Sequence, residues 1–372
     1  MNKLLFSIGL ACASLVATGQ NYIIPSTNIN QKGFPHILPD LSVEFEVKAP
    51  EANLVQIDIC GTKYALTRGE NGVWKGATAP QVPGFHYYNL VVDGVGVADP
   101  ASESFYGCGR MMSAIDIPEP NCDDFEIANV PHGQVRELHY FSNVTNSWRP
   151  LFVYTPASYE TGNKTYPVIY IHHGGGEDHR GWVEQGRTAN IMDNLIAAGK
   201  ATEAIVVSVN SNVPSKGGYS QEGMASYSKE LIDNVIPFVE KTFRTKNDAA
   251  SRAMCGLSMG GGQTFYIGLV HPELFRSIGI FSSGIFGGIA EAPLDLEKEV
   301  PGMISATKKF NKGLDVFYIS CGEQDLRISH TKKYTDKMKN AGVNVYFNSF
   351  AGDHEWQVWR KSFHEFAQML FK

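Results

Sequence analysis

The pentapeptide Gly256-Leu257-Ser258-Met259-Gly260 constrains this chain more than any other stretch, because a serine in a G-x-S-x-G frame demands a particular backbone around it. Upstream, Arg252-Ala253-Met254-Cys255 reads as a short buried strand. Downstream, Gly260, Gly261 and Gly262 permit a tight turn into a helix carrying Phe265, Ile267 and Leu269. A strand that turns sharply into a helix lifts the Ser258 hydroxyl above a sheet and aims the next amide, that of Met259, at a developing oxyanion. The reading is a nucleophile elbow; a glycine-rich turn without chemistry is the plain alternative.

The surrounding pattern supplies the sheet that such an elbow needs. Val168 to His172, Ala204 to Val209, Ser251 to Cys255, Ser277 to Ser282, Asp315 to Ser320 and Val343 to Phe350 read as strands, preceded by an antiparallel pair across the turn at Asn143 to Ser147. Helical spacing is predicted at Thr188 to Ala198, Lys229 to Phe243, Gln263 to Val270, Ser329 to Asn340 and Glu355 to Phe371. Apolar strands interleaved with amphipathic helices imply an α/β domain with a mainly parallel sheet covered on both faces. Ligands of such sheets bind at the carboxyl ends of the strands.

A serine nucleophile needs a base, and the base an orienting acid. In the α/β-hydrolase arrangement the chain order is Ser, then Asp or Glu, then His, each on a loop after a strand. Asp325, in Gly322-Glu323-Gln324-Asp325, and His354, in Gly352-Asp353-His354, fall at strand ends in that order. Glu323 is the alternative acid, and helix capping is the ordinary role open to Asp325. Asp353 abuts His354 too closely in sequence to serve its ring. His271, His330 and His364 lie on or beside helix patterns, where a solvated or capping histidine suffices. A second oxyanion donor is expected from His172-His173-Gly174-Gly175-Gly176, either Gly175 or Gly174, alongside Met259.

Residues 28–118 have a different grammar. Leu41 to Val47 and Leu54 to Ile59 alternate, and Phe85 to Val92 is rich in β-formers and ends at Asp93-Gly94. The expectation is an all-β immunoglobulin-like sandwich, followed by a linker at 119–131 and the α/β-hydrolase domain at 132–372. Trp74 is either a sugar-stacking ring or core.

Two resemblances follow from these motifs. Residues 28–118 resemble the early-set modules of the family 48 carbohydrate-binding type, through Gly72-Val73-Trp74, Tyr88 to Gly94 and Asp99-Pro100. The catalytic segment is similar to family 1 carbohydrate esterases, the esterase D-like group of feruloyl and acetyl xylan esterases. The motifs carrying that likeness are His173-Gly174-Gly175-Gly176, Gly181-Trp182, Ile205-Val206-Val207, Gly256 to Gln263, Phe281 to Gly284 and Gly352-Asp353-His354. The chain departs from many relatives at Val209-Asn210-Ser211-Asn212 and in its acid loop, which bears on pocket shape.

The resemblance implies a serine carboxylesterase with no cofactor and no metal, acting on acylated plant polysaccharide or oligosaccharide. Trp182, Tyr219, Phe286 and Trp356 are candidate substrate-binding aromatics on loops at the active end. They favour a planar feruloyl group over acetyl, with acetyl xylan esterase as the alternative. An acyltransferase or a non-catalytic glycan-binding protein are further alternatives.

A formal charge of −6 gives no electrostatic reason to expect nucleic acid. At the start, Lys3 precedes the apolar run Leu4 to Val16, and Ala17 and Gly19 flank Thr18, so 1–19 reads as a signal peptide of an exported protein. Lipidation at Cys12 is the minority alternative. No later stretch reaches the length of a membrane span. Past that segment Cys60, Cys108, Cys122, Cys255 and Cys321 remain. No spacing among them suggests zinc, a Cys108 to Cys122 bridge is conceivable, and pairing of Cys60 is open.

Overall fold

The computed structural model describes residues 21–119, 125–214, 221–287 and 293–372. The segment 1–19 read as a signal peptide, with Cys12, and likewise Cys122 and Tyr219, lie outside the described residues.

Two antiparallel sheets face each other in the first part of the chain. One has the spatial order His36–Ile37, Val43–Lys48, Val73–Ala77, Thr67–Arg68. The other runs Thr62–Ala65, Val55–Ile59, Gly84–Val92, Arg110–Ile117, Ser104–Gly107, with Val95–Val97 paired to the end of Gly84–Val92. Strand periodicity builds the core between them. Val55, Ile57 and Ile59 point inward to meet Val43, Phe45 and Trp74, while Gln56 and Asp58 face away. Trp74 is 5% exposed and donates its indole N–H to the Ala49 carbonyl at 2.9 Å, so it serves as core and offers no face to a sugar.

The second part carries an eight-stranded sheet. Its strands are β1 (Gln134–Ser142), β2 (Ser147–Thr155), β3 (Val168–His172), β4 (Ile205–Val209), β5 (Arg252–Leu257), β6 (Ser277–Phe281), β7 (Val316–Gly322) and β8 (Tyr346–Phe350). The spatial order is β1-β2-β4-β3-β5-β6-β7-β8, antiparallel up to the β2–β4 pair and parallel from there on. Every residue of β3 to β6 is buried, as a sheet covered by helices on both faces requires.

Alternation along these strands separates two cores. Val168, Tyr170, Val207 and Met254 meet Tyr227, Leu231 and Phe265 on one face. Ile169, Ile171, Val206, Ala253 and Cys255 meet Ile191, Leu195, Phe363 and Phe366 on the other, where helices Thr188–Ala197 and Trp356–Met369 pack together.

That second core also takes in Phe85, Phe105 and Ala114 from the sandwich, so the two parts share one hydrophobic cluster. Phe125, from the segment read as a linker, is buried in it as well. A buried Arg360 crosses the junction. Its guanidinium meets both oxygens of Asp116 at 3.1 and 3.2 Å, and its Nε donates to the Gln185 carbonyl at 2.7 Å.

The helix before β5 begins at Gln221 and not at Lys229. Met224, Tyr227 and Leu231 do bury one face of it, but they are embedded in Gly- and Ser-rich sequence that weakens the periodic signal. Short helices at Leu296–Glu299 and Thr307–Gly313 had no clear period to announce them.

Candidate active site

The site lies at the carboxyl ends of β3, β5, β7 and β8. β5 ends at Leu257, and Ser258 takes φ 50° and ψ −111°, a conformation that a non-glycine residue holds only when its surroundings impose it. Close backbone approach imposes it here. A Cβ on Gly256 would come within 2.6 Å of the Gly260 carbonyl carbon, and one on Gly260 within 2.5 Å of the His172 oxygen. Only glycines let strand and helix meet so tightly. The Ser258 N–H is tied to the Phe281 carbonyl of β6 at 2.8 Å.

Ser258 Oγ lies 3.0 Å from Nε2 of His354, whose Nδ1 lies 2.7 Å from Oδ2 of Asp325. The loops after β5, β8 and β7 thus bring the three side chains into one hydrogen-bonded chain. Asp325 is buried, and its Oδ1 accepts the Arg327 backbone N–H and Nη1, both at 2.9 Å, leaving Oδ2 for the imidazole. Burial pushes this carboxyl up, but the hydrogen bonds from His354 and Arg327 outweigh it and hold the group below the usual carboxylate range. An ionised Asp325 keeps the ring proton on Nδ1 and leaves the Nε2 lone pair for the serine proton. Trp359 stands edge-on to the ring, centroids 5.0 Å apart.

The competing carboxylates lie elsewhere. Glu323 meets Ser349 Oγ at 3.4 Å, and Asp353 accepts the His354 backbone N–H at 2.8 Å. His271 pairs with Glu273.

For an oxyanion, Met259 opens the helix Met259–Gln263, where its N–H has no intrahelical partner. In the loop after β3 the two glycine candidates divide. Both line the cavity before Ser258, and the Gly174 N–H is bonded to Oε2 of Glu177 at 3.1 Å. That bond braces Gly174 and leaves Gly175 as the candidate carried forward.

The bracing extends outward. His173 donates from Nδ1 to the Gly174 carbonyl at 2.8 Å and accepts the Ser211 N–H at Nε2 at 3.0 Å, the pattern of a neutral ring. Burial pulls its affinity for a proton down to about 4, and does the same for His172. Arg149 clamps the carbonyls of Asn210 and Asn212 at 2.6 and 2.7 Å, so the departure at Val209 to Asn212 builds the support of this loop. Burial also raises the Glu177 carboxyl to about 7, against the hydrogen bond from Gly174.

A cavity of about 680 Å³ opens in front of Ser258. Leu257, Leu326, Trp356 and Trp359 line it from the hydrolase domain; Phe85, Tyr87, Cys108, Arg110 and Met112 line it from the sandwich. Of the aromatics expected there, Tyr219 lies outside the described residues, and among the other three Trp356 lines the cavity. Trp182 is fully buried, packed at right angles to Trp356 and donating its indole N–H to the His172 carbonyl at 2.8 Å, so it braces the loop from behind. Phe286, 1% exposed, belongs to the core with Phe265 and Tyr334. Both assignments are corrected: position after a strand does not decide whether a ring faces out or in.

The sandwich wall was missed. Its signal was present in Gly84–Val92, where both faces carry large residues: Tyr88 and Leu90 toward the module core, Phe85 and Tyr87 toward the hydrolase domain. Tyr87 ties the parts together, its hydroxyl receiving Gln185 Nε2 at 2.8 Å and Trp356 Nε1 at 3.1 Å and lying 3.5 Å from Glu177 Oε1. Among the described residues, the metal-ligating atoms that converge are those of Cys60, His86 and Glu355, beside this wall. Cys60, Cys108, Cys255 and Cys321 are free thiols.

The chain is similar to several known proteins. The family model described as "Putative esterase" matches residues 142–369. An endo-1,4-beta-xylanase/feruloyl esterase of Xylanibacter ruminicola is 33% identical over 92% of this chain and 47% of its own length. The chain spans about half the length of the first curated relatives it matches, 47% and 54%. A solved CE1 ferulic acid esterase from Anaeromyces mucronatus, in complex with ferulic acid, is 26% identical with a TM-score of 0.59, covering 68% of this chain and 96% of that one. The enterobactin esterase of Shigella flexneri, 15% identical with a TM-score of 0.65, shares the fold over 88% of this chain and 92% of its own, so that likeness extends into the sandwich. With its elbow serine on β5 of an α/β-hydrolase sheet, this chain belongs to the family described as putative esterases.

Proposed function

We propose that the chain is an exported serine esterase that releases hydroxycinnamoyl groups, feruloyl above all, from plant cell-wall polysaccharide such as arabinoxylan. The observation that carries this reading is the cavity in front of Ser258, walled by Phe85, Tyr87, Trp356 and Trp359. A planar aromatic acid buries area against such rings at small entropic cost, whereas an acetyl group would leave most of the space to water. The names of the xylanase/feruloyl esterase and the ferulic acid esterase support the same substrate class. Export rests on the segment 1–19; among the described residues no helix is long and apolar enough to cross a membrane.

The geometry lends itself to an acyl-enzyme route. Ser258 Oγ attacks the ester carbonyl as Nε2 of His354 takes its proton, and Asp325 holds the resulting imidazolium. The amides of Met259 and Gly175 receive the negative oxygen. His354 then returns the proton to the departing sugar oxygen, and a water activated by the same ring releases the acid. None of these steps calls on a metal.

The test is a comparison of kcat/KM for methyl ferulate or a feruloylated arabino-oligosaccharide with that for acetylated xylan. A higher value for the ferulate is expected. Release of acetate with ferulate esters left untouched would overturn the substrate assignment and leave the serine esterase intact.

A further inference from the structure

At the wall between sandwich and hydrolase, three side chains aim their ligating atoms at one point. Cys60 Sγ lies 3.4 Å from Nδ1 of His86, and Oε2 of Glu355 lies 3.2 Å from the same nitrogen. All three atoms fall within 4.8 Å of one another. Cys60 and Glu355 line the cavity while His86, 2% exposed, stands behind them.

A thiol, an imidazole and a carboxylate together resemble a second catalytic triad, but the geometry argues otherwise. In a relay the ring bonds its acid through one nitrogen and its nucleophile through the other. Here both partners converge on Nδ1, and Nε2 donates to the Val82 carbonyl at 2.7 Å. Fixing the outer nitrogen on a carbonyl so that the inner one presents its lone pair is how proteins orient a metal-bound histidine.

The spacing agrees. Tetrahedral zinc with its usual bond lengths separates a nitrogen and a sulfur ligand by about 3.5 Å and a nitrogen and an oxygen ligand by about 3.3 Å. The backbone of Cys60 is unusual as well. Cys60 and Gly61 both take positive φ, 51° and 84°, in the two-residue turn joining Val55–Ile59 to Thr62–Ala65. Asparagine fills the first place of such turns at lower strain, so a cysteine held there wants a reason. Glu355 is braced in turn, its Oε2 receiving Gln357 Nε2 at 2.6 Å.

We propose that Cys60, His86 and Glu355 form a binding site for a divalent cation of the zinc class, with its fourth position open to the cavity. Binding displaces the thiol proton of Cys60 and any proton on His86 Nδ1; thiolate and carboxylate then neutralise the ion. Two ligands belong to the sandwich and the third follows the base His354 directly, so the ion clamps the module to the loop that carries the catalytic histidine. The residues are far apart in sequence, which is why no spacing announced them.

The experiment uses the full chain, stripped with a chelator, reloaded with zinc chloride and gel-filtered before its metal content is measured. One zinc per chain is expected. Cobalt in its place should give a thiolate-to-metal charge-transfer band in the near ultraviolet. Cys60→Ser should abolish that band, and both it and Glu355→Gln should weaken zinc binding by more than about tenfold, each with unchanged circular dichroism. Failure of the wild-type chain to retain zinc would overturn the proposal, as would equal retention by Cys60→Ser or a cobalt spectrum without a thiolate band.

Discussion

Replacing Tyr87 by Phe removes one oxygen atom and keeps the ring, so its consequences can be worked out bond by bond. That hydroxyl receives hydrogen bonds from Gln185 and Trp356, at 2.8 and 3.1 Å, in the buried junction between sandwich and hydrolase. Gln185 Nε2 keeps the Tyr106 carbonyl at 2.9 Å, so it loses one of two bonds, a change of about 1 kcal/mol. The Trp356 indole N–H loses its Tyr87 acceptor in that buried junction, with the Glu177 carboxyl beside it. An orphaned buried donor costs about 1–3 kcal/mol, with the lower end applying if Glu177 shifts to take it. The total is a destabilisation of about 2–4 kcal/mol, with no cavity term because the ring is retained. Urea unfolding of the full chain, followed by tryptophan fluorescence, should show a lower midpoint at unchanged m. A loss below about 0.5 kcal/mol would refute the reading of Tyr87 as the hydrogen-bonded tie across the junction.

Ser258→Ala should lose several orders of magnitude in ester hydrolysis with the fold intact, His354→Ala nearly as much, and Asp325→Asn somewhat less; a larger loss from Glu323→Gln than from Asp325→Asn would show the wrong acid had been chosen. Glu177 holds its proton more tightly folded, at about 7, than at the ordinary value near 4.5, so the stability it contributes below that value is lost as pH rises to about 7. Glu177→Gln cannot ionise, so measured unfolding free energies should shift in the variant's favour by up to roughly 3 kcal/mol across that window and stay level above it. A gap that does not change with pH would contradict the raised affinity. Trp182→Ala should cost about 3–5 kcal/mol in stability, since the ring is fully buried; altered ferulate KM at unchanged stability would return it to the substrate pocket.

Much of the sheet and of the candidate site's geometry was legible in the residues, and for physical reasons. A parallel sheet buried on both faces writes itself as short apolar runs, and β3 falls at Val168 to His172 as the run predicts. The elbow was legible because its glycines answer to backbone contact at Gly256 and Gly260. Asp325 and His354 could be singled out because chain order and strand ends restrict the choice, and they do meet Ser258 in one hydrogen-bonded chain. What stayed hidden depends on tertiary packing. Nothing local says that the Trp182 ring turns inward to His172, or that the Gly174 amide is taken by Glu177. The module wall was hidden for the same reason: a sandwich with its own core gives no sign that Cys108, Arg110 and Met112 also line the cavity in front of Ser258. Only the doubly apolar strand Gly84–Val92 hinted at it.

The measurement that bears most directly on the proposed chemistry is the mass of the protein itself during turnover. The full chain is mixed rapidly with methyl ferulate, quenched in acid and digested, and the peptide containing Ser258 is weighed. An acyl-enzyme route predicts a transient feruloyl adduct on that peptide in the wild type, absent in Ser258→Ala and persisting longer when Asp325→Asn slows deacylation. Ferulate release with no adduct at any quench time, or an equal rate of release from Ser258→Ala, would contradict it.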